Sequence, residues 1–164
     1  MDLRAASYGG AGVIFLLDRF TKWLIETRVA LFETHTVIPG FFAIVHTKNQ
    51  GAAFGFLNDS AASWRGPLLI GLSAAALIVV AGMLWRPSRL DRWTMLGLTS
   101  ILGGALGNLV DRIAAGQVTD FLDFYVGNWH WPAFNVADSA IVIGGGLLLL
   151  SLIAPRSEQE AART

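Results

Sequence analysis

Three carboxylates share one short stretch of this sequence: Asp120, Asp123 and Asp138 all fall within VTDFLDFYVGNWHWPAFNVADS, residues 118–139. Asp138 opens a run, 139–154, that carries no charge. An acidic group at the mouth of an apolar, membrane-crossing segment is costly and marks a candidate functional site. Elimination narrows the choice. Asp18 has Lys22 four residues away, on the same helical face, and Asp111 has basic neighbours. Asp123 lies in an alternating stretch and, if that stretch is extended, faces opposite to Asp120. Asp120 and Asp138 remain, without a local cation and beside apolar neighbours. Two carboxylates brought together in a low-dielectric site cannot both ionise easily and share one proton. The ionised member can then take a proton from water, and the protonated one can polarise a peptide carbonyl. Two independent capping or loop aspartates are the alternative, since Asp138 could simply favour a helix N-terminus through the dipole.

Other chemistries find little support. With no cysteine, disulfides, thiolate metal sites and a cysteine nucleophile are excluded. His35, His46 and His130 lack zinc spacing, and neither HExxH nor GxSxG occurs. No metal or cofactor is expected. The formal net charge is zero, so nothing suggests nucleic acid as a partner.

The elements that must position these residues follow from hydropathy. Of 164 residues, 54% are hydrophobic and 15% charged, where soluble domains carry about 25% charged residues. The expected fold is an all-α membrane protein of four transmembrane helices in one domain, with spans at about 5–26, 67–85, 93–112 and 133–154. Between the first two spans, FFAIV, HTKNQG and AAFGFL predict two short strands around a turn, a β-cradle over about 30–60. Residues 118–131 are expected as a loop and 155–164 as a disordered, cytoplasmic tail. DRFTKW stands where a signal peptide would need small residues, so the first span is expected to remain uncleaved. Arg86, Arg89 and Arg92 in one short connection predict that both termini are cytoplasmic. The ends of spans 1 and 3, the cradle and the start of span 4 then share the opposite face.

Within the spans, Asp18 and Lys22 predict an internal ion pair, with a role in ordering the site as the sharper reading. Arg19 is expected to snorkel to lipid phosphates. On span 3, Gly104, Asn108 and Asp111/Arg112 fall on one stripe. Its glycines are read as packing positions, while Asn108 and Arg112 could be helix–helix contacts or site residues. Asp111 and Arg112, being adjacent, are each expected to pair with another element, such as the cradle or the loop. Phe41, Phe42, Phe54, Phe56, Trp129 and Trp131 suit anchoring at the membrane interface. A transporter using Asp18, Asp111 and Asp138 as a relay is the rival class, but it needs ionisable groups at successive depths, and spans 2 and 3 have none inside.

Five motifs, DRFTK (18–22), NQGAAFG (49–55), GGALGNLVDR (103–112), VTDF (118–121) and FNVAD (134–138), together resemble those of lipoprotein signal peptidase, or signal peptidase II. The resemblance implies an aspartyl endopeptidase of the bacterial inner membrane. Such an enzyme acts at the extracytoplasmic face, on diacylglyceryl-modified prolipoproteins among membrane lipids, and is sensitive to the cyclic peptide globomycin. It implies Asp120 and Asp138 as the catalytic pair. Asn49, Gly51, Asn108, Arg112 and Asn135 would bind substrate or support the site, and Asp18, Lys22 and Asp111 would be mainly structural.

Overall fold

Hydrophobic runs and capping residues set the helices of the computed structural model, which describes residues 2–51 and 64–153. Helix α1 (Leu3–Arg28) starts at Asp2, whose side chain accepts from the Arg4 amide at 2.9 Å. Strands β1 (Thr34–Ile38) and β2 (Phe42–Asn49) follow, then α2 (Arg65–Leu84) and a 3-10 turn at Pro87–Arg89. Helix α3 (Arg92–Ala115) begins at Asp91, which accepts from the Trp93 and Thr94 amides, and ends at Gly116 in the left-handed region at φ 70°. Strands β3 (Val118–Val126) and β4 (Trp129–His130) lead to α4 (Val136–Ile153).

Helices α2, α3 and α4 are long and apolar enough to cross a membrane. Helix α1 is 26 residues long, but Asp18, Arg19, Lys22 and Glu26 crowd its last turns. Its buried stripe is Ser7, Ala11, Asp18, Lys22 and Ile25, while Val13, Leu16, Phe20 and Trp23 point outward. The polar side of this helix is thus turned inward, the reverse of a water-soluble amphipathic helix. A dry core of Ala11, Leu84, Leu98 and Leu102 closes the end of the bundle remote from the sheet.

The four strands form one antiparallel sheet in the order β1-β2-β3-β4. Two expectations need correction. Residues 118–131 are not a loop, because β3 supplies a nine-residue strand and β4 a short return. The cradle therefore draws on segments far apart in the chain. Likewise HTKN is strand, not turn. The reversal is at Pro39–Gly40, where Gly40 sits at φ 78°, a conformation glycine adopts without strain. His46 to Asn49 instead continue β2, and Thr47 pairs with Asp120 and Asn49 with Val118. A bulge places Val45 and His46 opposite Phe121 alone. The expected AAFGFL strand, Phe54, Phe56 and the tail 155–164 lie outside the described residues.

Small residues bring α3 and α4 into backbone contact. A Cβ on Gly144 would stand 2.6 Å from the Gly97 carbonyl, and one on Gly97 would stand 2.8 Å from the Gly144 carbonyl. Gly145, one residue on, has nothing within 4 Å of such an atom. Gly144→Ala is therefore expected to destabilise the protein by about 1–3 kcal/mol through overpacking. Gly145→Ala is expected to be neutral or slightly stabilising, by up to about 1 kcal/mol. Thermal midpoints in detergent check the contrast.

Candidate active site

The site is assembled from the last turns of α1 and α3, the first turn of α4 and the β2–β3 pair. At its base the Lys22 ammonium, fully buried, meets Asp18 Oδ2 at 2.8 Å, Asn108 Oδ1 at 2.9 Å and Asp111 Oδ2 at 2.7 Å. Asp18 Oδ1 in turn accepts the Ala137 amide at 3.0 Å. That amide is an orphan donor in the first turn of α4, so α1 supplies a cap for α4 across the bundle. The Asp18–Lys22 pair is thus not self-contained; it joins α1 to α3 and α4. Arg19 does not snorkel to lipid. It forms an ion pair with Asp111, because it stands beside the buried stripe and can reach across to α3. Asp111 accordingly pairs with another element, as expected, and that element is α1. Arg112 does reach the cradle, donating to the Gly51 carbonyl at 3.3 Å.

Above this base, Asp120 and Asp138 are joined by two asparagines. Asn135 is the residue before α4. Its Oδ1 accepts the Asp138 amide at 2.9 Å, and its own amide donates to Asp138 Oδ2 at 3.3 Å. This is the reciprocal arrangement of a capping box, with Asp in the usual Glu position. Because its oxygen caps the helix, the Asn135 amide nitrogen is left for Asp120 Oδ1, at 2.7 Å. Asn108 Nδ2 donates to Asp138 Oδ1 at 2.7 Å, while its oxygen accepts from Lys22 and, at 3.3 Å, from Asn135. Asn49 Nδ2 donates to Asp120 Oδ2 at 3.0 Å, and its oxygen holds the Gly51 amide at 2.9 Å. Asp123 is turned to the other face of β3, where His130 Nδ1 lies 2.9 Å from its carboxylate and the Tyr125 ring stacks on His130.

Both carboxylates open into one cavity of about 570 Å³. Asn49, Asn108 and Arg112 are its other strongly polar walls, and Leu69, Ile141, Val142 and Ile143 make an apolar flank between α2 and α4. Asp120 is only 3% exposed. Burial first, then the negative charge of Asp138, push its carboxyl up to about 6 against the donors Asn49 and Asn135 and the Lys22 charge. The pattern is that of two acids in one poorly solvated site, where one proton is easily kept.

The structure brings all the expected site residues to this one end: Asn49, Gly51, Asn108, Arg112, Asp120, Asn135 and Asp138 above, Asp18, Lys22 and Asp111 below. Sequence reasoning missed Glu26, Thr47, Lys48 and Thr119. Thr47 Oγ1 donates to the Asp120 carbonyl at 3.2 Å, and the other three form a knot beside it. Strand alternation through Thr47 and Asn49, opposite Asp120 and Val118, is the signal that could have found them, had β2 and β3 been paired.

Fold and site together define a helical protein fit to cross a membrane, with two buried acids at the wall of one cavity. Two solved structures described as bacterial membrane enzymes, determined by the in meso method, match this fold with TM-scores of 0.80 each. One is 29% identical, covering 91% of this chain and 88% of that one, and the other is 25% identical, covering 93% and 95%. The family described as "Signal peptidase (SPase) II" matches residues 11–154. The lipoprotein signal peptidase of Solibacter usitatus (strain Ellin6076) is 57% identical over 157 residues, 96% of each chain. That of Maridesulfovibrio salexigens is 46% identical over 139 residues, covering 85% of this chain and 89% of the relative. The chain belongs to the signal peptidase II family, a family of membrane proteases.

Two outcomes follow from the site's electrostatics. Lys22→Met leaves Asp18 buried without its cation and Asp111 with Arg19 alone, and is expected to cost about 3–5 kcal/mol, read as a lowered thermal midpoint. Asp120 binds its proton more tightly in the folded protein, near pH 6, than in an unfolded chain, near pH 4. Its contribution to stability is therefore complete below about pH 4 and is lost as pH rises through about 6. Relative to Asp120→Asn, the wild type is expected to lose about 3 kcal/mol between pH 4 and pH 8, a slope independent of any fixed cost of the substitution. A flat difference across that range would exclude the raised carboxyl.

Proposed function

We propose that this chain is an endopeptidase that removes signal peptides from diacylglyceryl-modified prolipoproteins, with Asp120 and Asp138 activating the attacking water. The observation that carries the reading is the joining of these two acids, from β3 and α4, through Asn135 and Asn108 at the wall of one cavity. Asp138 stands in the first turn of α4, where the helix dipole favours a negative charge, so the shared proton rests on Asp120. Water gives a proton to Asp138 as its oxygen adds to the scissile carbonyl carbon, and Asp120 donates its proton to the carbonyl oxygen. When the tetrahedral intermediate collapses, the carbonyl re-forms, its proton returns to Asp120, and the departing amine takes the proton held by Asp138. The two acids titrate as one unit through this cycle.

The cavity suits that substrate. The apolar flank of Leu69, Ile141, Val142 and Ile143 receives the apolar core of a signal peptide, whose cleavage point lies just beyond that core. Arg112 and Asn49 face the polar backbone around the scissile bond, and the acyl chains stay in lipid. The outward apolar face of α1 supports four spans, at about 5–26, 67–85, 93–112 and 133–154. The arginines of 86–92 favour both termini on the cytoplasmic side of the inner membrane, which puts the active site at the extracytoplasmic face. The same reading implies that the cyclic peptide globomycin blocks the cleavage.

Purified protein in detergent is expected to release one signal peptide from a lipid-modified prolipoprotein, seen as the corresponding loss of mass. Asp120→Asn and Asp138→Asn are expected to lower the rate by at least about 10⁴-fold, with the folded protein retained. Asp123→Asn, with its own partner in His130, should stay within about threefold of wild type. Full activity in either of the first two variants would remove the pair from the mechanism.

A further inference from the structure

Beside the two acids lies a polar knot that the reaction scheme above does not use. Glu26, in the last turns of α1, accepts two short hydrogen bonds on one oxygen. Lys48 Nζ donates to Glu26 Oε1 at 2.6 Å, and Thr119 Oγ1 donates to the same atom at 2.6 Å. Lys48 also donates to Thr119 Oγ1, at 2.7 Å, closing a triangle. Each strand residue in it stands next to a site residue: Lys48 precedes Asn49 on β2, and Thr119 precedes Asp120 on β3. Lys48 and Thr119 are also cross-strand partners. Thr119 is 1% exposed, so its hydroxyl has no water to turn to.

We propose that Glu26, Lys48 and Thr119 form a positioning clamp. One carboxylate oxygen on α1 fixes both strands of the cradle against the bundle, and so aims Asn49 and Asp120 at Asp138. The need for such a device follows from the construction of the site. Asp138 is set by helices, whereas Asp120 rides on β3, which pairs with β2 on one side and is tied to the segment before α4 by Phe134 and Asn135 on the other. A carboxylate pair works only within a few tenths of an ångström, and a displacement near 1 Å can cost about a hundredfold in rate. Hydrogen bonds to a charged acceptor are the strong ones, and here two converge on one atom.

The clamp rests on the proposed peptidase reading for its effect on rate, and its test includes a readout that does not. In the cleavage assay, Glu26→Ala and the charge-neutral Thr119→Val are expected to lower kcat about tenfold or more with KM within about twofold. The triangle has an internal symmetry, since the threonine hydroxyl both donates and accepts. Glu26→Lys and Lys48→Glu should each be impaired singly, and the two combined should recover at least about a third of the wild-type kcat. Independently of cleavage, the pH dependence of the thermal midpoint reports the Asp120 proton. Asn49 holds that proton affinity down, so in Thr119→Val, where Asn49 is loosened, the transition is expected to move above its wild-type position near 6. A shifted transition in a protein that does not cleave prolipoproteins would sustain the clamp and sink the peptidase reading. Unchanged kcat and an unmoved transition in Thr119→Val, or a combined swap no better than its single members, would overturn the clamp.

Discussion

A single ammonium group, sealed from water, is the constraint on which the rest of this structure depends. Lys22 has no solvent to fall back on, so its charge must be met by protein oxygens. Asp18, Asp111 and Asn108 meet it, and each has a second task. Asp18 caps α4, Asp111 binds Arg19, and Asn108 binds Asp138. Moving any one helix would strand a buried charge. Buried ion pairs are weak sources of stability against an apolar alternative, but they tolerate very few arrangements. Here that intolerance fixes how α1, α3 and α4 meet, and with them the floor beneath the proposed reaction.

The same economy recurs one layer up. Asn135 caps α4 with its oxygen and binds Asp120 with its nitrogen, so the geometry that begins the helix also orients an acid on the sheet. Asn108 likewise accepts from Lys22 while donating to Asp138. An amide is suited to this work, being donor and acceptor at once and without a charge to desolvate. Each asparagine passes the fixed geometry of the base to the carboxylates without adding a further ion to a poorly solvated place.

How much of this was legible in the sequence depended on range. Apolar runs such as 67–85 and 139–154 announce themselves without partners, because hydrocarbon tolerates no alternative. Asp123 could be set aside from alternation along five residues, and the structure turns it to His130. The place of Asp138 at a helix start is also local, because the helix dipole favours an acid there. What stayed hidden was long-range. Aspartates inside VTDFLDFYV disguised a strand whose partner lies 71 residues earlier, at Asn49. The turn was misplaced because His46 to Asn49 look like loop formers until their cross-strand neighbours are known. Arg19 was assigned to lipid because nothing nearby revealed Asp111, and Glu26 went unnoticed because its partners arrive from two strands. Chemistry bound by spacing could be read; pairings bound by topology could not.

The cap that Asp18 places on Ala137 joins residues 119 positions apart, and it carries a lesson about synthesis. As the chain leaves the ribosome, α1 emerges with a lysine and an aspartate whose other partners have not yet been made. The floor closes only when α3 has arrived, and Asp138 takes its place only when the last helix is inserted. A nascent or truncated chain therefore holds no assembled pair of acids, and any ability to cut peptides is withheld until translation is all but finished.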